Sequence, residues 1–437
     1  MIDRVCGNFI NLYKSYIFRK IKPYIGPQAY SNTMPAEEKS QKVDRRRALQ
    51  VIGGTVAGLV IGGAVGYLAK PAEIVEKTTV YTTTVAGPAT TLTLTKTVTL
   101  TPTPTIIKAK KLNIAFWVGN LASPYWITCK DGAEKAAKDI NDHFGEELCT
   151  ITTFDARDDP ALQTSQIESV IGAGIYGAAV LPAVVAEAMV PAFKKLYDAK
   201  IPTITYDREI APEGIRYRLF SIITNNVEAG ALETEALIRQ LENTGKPKPW
   251  KIAINYGHPG ASSAEDRRSG HRLVLDPLVA KGDVIIVNEQ YHEGWKRELA
   301  RATIEAVLAR HPDLAAVVCS NDDMALGSIA AIEGAGKVPG VDVLVAGFDA
   351  ISEAVEAVRK GKLNVTIAQA AKIMGYWGAY SAFLHINTGW TSPVETIPAP
   401  VVVVTKENVE TFAPLMEPPR WDLWKKYGPT LTEAFPK

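Results

Sequence analysis

A chain of 437 residues exceeds the usual size of one domain, so at least two are expected. With 46% hydrophobic and 22% charged residues the composition is that of an ordinary folded protein, and a net charge of +1 excludes a global field that would draw in nucleic acid or anionic lipid. Four scattered cysteines (Cys6, Cys129, Cys149, Cys319) exclude a disulfide scaffold or a zinc motif; free, buried thiols are expected, with a Cys129–Cys149 bridge as the alternative.

Residues 1–47 form a basic leader that ends in Asp44-Arg45-Arg46-Arg47, and translation from Met34 would give the compact form such leaders normally take. Residues 48–69 carry no charge and number 22, enough to cross a bilayer core, although six glycines keep the segment only moderately apolar. The run Asp44–Gln50 is open to two readings, a twin-arginine export signal or the positive-inside flank of an ordinary anchor. Either one places the rest of the chain outside the cytoplasm. Residues 70–110 are a Thr/Pro-rich linker that cannot bury a core and reads as an extended stalk, with a strand over Thr91–Thr95 as the alternative.

From Lys111 short apolar runs alternate with longer segments of helical periodicity. The predicted strands are Leu112–Val118, Thr150–Phe154, Gly177–Leu181, Pro202–Tyr206 and Leu219–Ile223, with helices over Tyr125–Ile140 and Leu162–Ile171. A second series comes at Lys251–Ile254, Val284–Val287, Ala315–Cys319, Val343–Ala346 and Leu363–Ile367. Helices Arg267–Val279, Arg297–Ala309 and Asp323–Glu333 separate these strands, and the middle one shows a stripe of Leu299, Ile304, Val307 and Leu308. Nearly continuous apolar strands alternating with helices predict two doubly wound parallel sheets, an α/β protein of two lobes. Ligands of such sheets bind beyond the carboxyl ends of the strands.

The residues just past those ends share one chemistry. They are Ser123, Tyr125 and Trp126, then Asp207 and Arg208, Arg267, Trp295, Asn321, Asp349 and Gln369. Carboxylates accept from vicinal hydroxyls, guanidinium forks donate to two at once, and amides do one of each. Aromatic faces pack on the apolar C–H faces of a sugar ring. Each residue alone has a plainer reading: Asp207-Arg208 as a solvated turn pair, Tyr125 and Trp126 as core, Asn321 as a helix cap, Trp295 as lobe packing. Their common placement outweighs those readings.

At Ser320-Asn321-Asp322-Asp323-Met324-Ala325-Leu326-Gly327, Gly347-Phe348-Asp349 and Thr366-Ile367-Ala368-Gln369 the chain resembles the type I periplasmic binding proteins for monosaccharides, over about residues 111–412. Tyr206-Asp207-Arg208 and Glu293-Gly294-Trp295 resemble the xylose-binding branch, whereas Gln369 fits the ribose branch. Ser123 in place of Asn, Trp126 in place of Phe and Gly119 in place of a small polar residue depart from the ribose pattern. The resemblance implies that Tyr125, Trp126 and Trp295 sandwich a sugar ring while Asp207, Arg208, Arg267, Asn321, Asp349 and Gln369 hold its hydroxyls. It also implies a three-segment hinge near Thr224, Gln369 and Ser392–Pro398. One lobe would comprise 111–224 with 370–394 and the other 225–369 with 395–415, leaving a tail at 416–437. Val401–Val404 would add a strand to the second lobe.

The implied function is capture of a neutral monosaccharide, a pentose such as xylose or ribose favoured, by a monomer that closes on its hinge and docks on an ABC permease with its ATPase. A sugar-sensing receptor that signals without transport is the alternative. A sugar-responsive repressor would need a helix-turn-helix where this chain has an apolar segment and a stalk. No cofactor, metal or catalytic group is expected: no nucleophile–base pair is visible, His258 and His292 are the only histidines near the set, and Arg208 and Arg267 are expected to keep Asp207 and Asp349 ionised.

Overall fold

The computed structural model of the chain describes residues 108–436. The leader at 1–47, the segment 48–69 and all but the last three residues of the linker 70–110 lie outside the described residues. Among the described residues no helix is long and apolar enough to cross a membrane.

The first strand, β1 (Leu112–Val118), is apolar because both its faces are covered; six of its seven residues are buried. Then come α1 (Pro124–Phe144), β2 (Cys149–Asp155), α2 (Pro160–Ala173), β3 (Ala178–Leu181), α3 (Val190–Asp198), β4 (Thr203–Tyr206) and β5 (Ser221–Ile223). The helix α1 begins on Pro124, whose missing N–H and fixed φ suit a first helical position. The pattern then repeats: α4 (Asn226–Asn243), β6 (Trp250–Tyr256), α5 (Ser262–Ala280), β7 (Val284–Tyr291), α6 (Arg297–Arg310), β8 (Leu314–Cys319), α7 (Asp322–Gly334), β9 (Leu344–Phe348), α8 (Ser352–Arg359) and β10 (Val365–Gln369). The chain ends with α9 (Ala371–Thr388), β11 (Thr396–Pro398), β12 (Val401–Val404), α10 (Trp421–Trp424) and α11 (Leu431–Ala434).

Two six-stranded sheets result, ordered β11-β5-β4-β3-β1-β2 and β12-β10-β9-β8-β6-β7. The second repeats the first strand for strand, β6 standing where β1 stands and β9 where β4 stands. Within the two sheets only the β10–β12 pairing is antiparallel. Each lobe therefore presents the carboxyl ends of β1, β4 or β6, β9 to the space between them, where the first turn of the next helix also begins.

Two expectations need correction. Residues 396–398, expected in the second lobe, pair in parallel with β5 of the first sheet. The Ser221 and Thr396 hydroxyls bond at 2.9 Å and Ser221 N–H donates to Glu395 at 3.0 Å, so this segment closes the open edge of β5. Leu299 is 42% exposed, because the buried stripe of α6 runs Ala300, Ile304, Val307, Leu308 at spacings of four, three and one; Leu299 is five residues from Ile304 and lies off that face. Cys129, Cys149 and Cys319 are free, buried thiols, which is the arrangement expected. The tail 416–437, which the sequence left unplaced, packs on the first lobe: Trp424 is fully buried with its ring 5.5 Å from those of Trp377 and Trp390, and Phe435 sits 5.1 Å from Phe144.

Candidate ligand-binding cleft

All ten residues singled out at strand ends, Ser123, Tyr125, Trp126, Asp207, Arg208, Arg267, Trp295, Asn321, Asp349 and Gln369, line one cleft between the lobes, which are drawn together so that only about 40 Å³ stays open. The sheets explain the convergence. Asp207 comes after β4, and its N–H donates to Ile222 of β5 at 3.1 Å; Asp349 comes after β9 in the twin sheet, and its N–H donates to Ile367 of β10 at 2.7 Å. Both aspartates leave their strands with positive φ, 62° and 113°, and Asp158 (55°) and Trp295 (57°) do likewise. Such conformations cost of order 1–3 kcal/mol each and persist where surroundings enforce them, typically at binding sites.

Charges in the cleft are paired. Arg208 is buried, donates to Asp158 at 2.6 Å and has Asp207 at 3.6 Å. Burial pulls its pKa down, but the two carboxylates outweigh this and hold it above the ordinary value. Tyr125 donates its hydroxyl to Asp207, and burial together with that carboxylate pushes the phenol well above its usual range. Arg267 donates to Asn226 at 2.9 Å and to the Ser320 carbonyl at 2.7 Å, lies 3.6 Å over the Phe348 ring, and faces Asp349 at 3.8 Å. Asp349 accepts from Gln369 at 2.6 Å. Burial nevertheless pushes its carboxyl up to about 8, with Arg267 and Gln369 opposing; the expectation that Arg267 keeps it ionised is corrected, because desolvation outweighs the cation.

The two tryptophans flank Arg208, whose guanidinium carbon lies 5.0 Å from the Trp126 ring centre and 5.3 Å from that of Trp295. Each indole is seated against a glycine. A Cβ on Gly119 would fall 2.5 Å from Trp126 and one on Gly257 would fall 2.1 Å from Trp295. This accounts for Gly119, the departure noted in the sequence: the larger Trp126 occupies the space a side chain would need. Gly257→Ala is expected to drive Trp295 from its seat at a cost of ~1–3 kcal/mol, read as a change in the indole bands of the near-ultraviolet circular dichroism. An unchanged spectrum would contradict the seating.

Asn321 caps α7 by accepting from Met324 N–H at 2.9 Å and also lines the cleft. Ser123 of the first lobe donates to Asp323 of the second at 3.0 Å. The Thr224 hydroxyl donates to Gln369 at 3.0 Å, joining two of the stretches where the chain passes between sheets. Sequence reasoning missed Asn120, Asp158, Ser263, Gly294 and Asp323, which also line the cleft. Asp158 was within reach of the strand-end rule, since it lies three residues past β2. Asp322 was missed as well: fully buried, it accepts from Thr366 at 2.8 Å and from Ile351 N–H at 2.9 Å, and so holds the loop that carries Asp349.

Of the two nearby histidines, His258 accepts from Gly294 N–H at 2.9 Å and His292 bonds Asn255 at 2.9 Å. Burial lowers the pKa of both, that of His292 to about 4. Among the described residues no cluster could hold a metal ion. Two buried donors on cleft residues make no hydrogen bond: Trp295 Nε1, and Arg208 Nε, which has the Asp207 carboxylate at 3.6 Å.

Two doubly wound lobes whose strand ends meet in a small polar and aromatic cleft define the two-lobed solute-binding fold, type I. The chain belongs to the periplasmic binding protein domain family, whose model matches residues 114–389. It is similar to the ribose import binding protein of Bacillus subtilis (strain 168), at 30% identity over 266 residues that cover 61% of this chain and 79% of that one. Among solved structures it is similar to an ABC transporter solute-binding protein from Agrobacterium vitis bound with α-D-tagatopyranose, with 29% identity, TM-score 0.61 and coverage of 69% of this chain and 97% of that one. A second, from Bacillus halodurans C-125 with bound myo-inositol, has 27% identity and TM-score 0.60, covering 70% of this chain and 98% of that one.

Proposed function

We propose that the protein binds a neutral monosaccharide, a pentose such as ribose or xylose favoured, between its lobes and presents the closed form to an ABC importer outside the cytoplasm. What supports this most is Trp295 Nε1, a buried donor without a partner, in a cleft that also holds Asp207, Arg208, Asn321, Asp349 and Gln369. Donors and acceptors alternate around the space, which suits hydroxyls, since each hydroxyl both donates and accepts. The compensated charges of the site favour a neutral ligand over an ionic one. Relatives named for ribose, α-D-tagatopyranose and myo-inositol support a polyhydroxylated ring. The reading also carries the N-terminal segment 48–69 as a tether that holds the lobes at the cell surface.

Titration of tryptophan fluorescence with D-ribose and D-xylose tests the proposal, because Trp126 and Trp295 line the cleft. A saturable change with one of them is expected; no change with any pentose or hexose would refute it. Affinity is also expected to rise with pH. Asp349 carries a proton below about 8 in the free protein, whereas its ionised form is the better acceptor for sugar hydroxyls, so binding releases a proton across the neutral range. Calorimetry between about pH 6 and about pH 9 should show tightening of at most about tenfold per unit. Affinity that falls over that range would reverse the assigned role of Asp349.

A further inference from the structure

Every crossing implied by the family resemblance occurs before residue 401, yet the chain continues and returns to the first lobe. Past β12 it is held to the second lobe by an ion pair of Glu410 with Arg359 of α8 at 2.8 Å, and the flanking Val409 and Phe412 are buried. Its next turn, Ala413–Met416, lies against α9, and from Glu417, five residues beyond Phe412, it is bonded to the first lobe. Glu417 pairs with Lys372 of α9 at 2.8 Å, the Pro419 carbonyl accepts from Trp377 Nε1 at 2.8 Å, and Trp424 is fully buried against α9. The family model ends at residue 389, so none of this belongs to the matched domain.

We propose that residues 413–418 are a strap, a fourth covalent connection between the lobes that limits how far they part. The strap has a definite reserve. Ala413–Met416 form one turn of 3-10 helix, with a rise of ~2.0 Å per residue. Drawn out to ~3.3 Å per residue, those four residues add about 5 Å of reach. Separation at this point beyond that reserve must pull Phe412 or Trp424 out of its packing, so the sugar-free protein stays close to its closed form.

The inference rests on the reading of two lobes that open and close, and the test separates the two. Spin labels at Asp131→Cys and Glu298→Cys, both exposed near the cleft, report lobe separation in the full chain with Cys6→Ser; the remaining cysteines are buried. Without sugar, a six-residue Gly/Ser insertion after Met416 should shift the distance distribution to longer and broader values than in the parent. Glu417→Lys, which sets two cations against each other at the docking point, should do the same to a smaller degree and serves should the insertion unfold the protein. Distributions that superimpose on the parent's would overturn the strap. Failure of the parent to contract with D-ribose or D-xylose would instead count against lobe closure on a sugar.

Discussion

Arg208→Met is expected to weaken monosaccharide binding at least about a hundredfold. The guanidinium is the meeting point of the cleft: it joins Asp158 at 2.6 Å and Asp207 at 3.6 Å and lies between the Trp126 and Trp295 rings. Methionine fills similar space but removes a donor group from the cleft wall and leaves two buried carboxylates without their cation. Truncating one partner of a buried, hydrogen-bonded charge pair costs about 2–5 kcal/mol, and ~1.4 kcal/mol is tenfold in affinity. Adding Asp158→Asn should restore part of any lost thermal stability, because it removes one of the stranded charges, without restoring affinity. Calorimetry and a melting curve on both variants check this. Affinity within about threefold of the parent would remove Arg208 from the binding set.

Trp424→Ala is expected to give the largest loss of stability of any single change in the tail, about 3–5 kcal/mol. The indole is fully buried among Trp377, Tyr380 and Trp390 with ring centres 5.4–5.5 Å away, and its N–H donates to the Pro429 carbonyl at 2.9 Å. Alanine leaves a cavity that these rigid rings cannot fill. Equilibrium denaturation measures the effect; a loss below about 1 kcal/mol would mean that the tail is not part of the first lobe's core.

Strand-helix alternation was legible because buried parallel strands are apolar on both faces; Leu112–Val118 has the bounds the pattern predicts. Strand ends were less legible. β7 runs on through Asn288–Tyr291 and β10 through Gln369, since ladder pairing persists after the apolar residues stop. β11 was invisible: three residues ending in Pro398 at a sheet edge carry almost no pattern. The tail escaped for a different reason, because Trp421 and Trp424 make only a single helical turn and their burial depends on α9.

For the cleft, the strand-end rule found side chains that enter directly from β1, β4 and β9. It missed Asp158, which arrives through a turn with positive φ at Arg157 and Asp158. It also misjudged the protonation of Asp349, for the sequence shows a neighbouring arginine but not the depth of burial that outweighs it. The family departures Gly119 and Trp126 become one feature in space, an indole filling the room of an absent side chain.

The two lobes are proposed to hold one neutral monosaccharide. Isothermal calorimetry across a panel of pentoses, hexoses and their common epimers tests it most directly. One-to-one binding of a monosaccharide at micromolar affinity or tighter, about −8 kcal/mol or more, is predicted, with loss of the heat in Arg208→Met. The absence of heat with every member of the panel, under conditions where the protein is folded, would mean that the cleft is not a monosaccharide site.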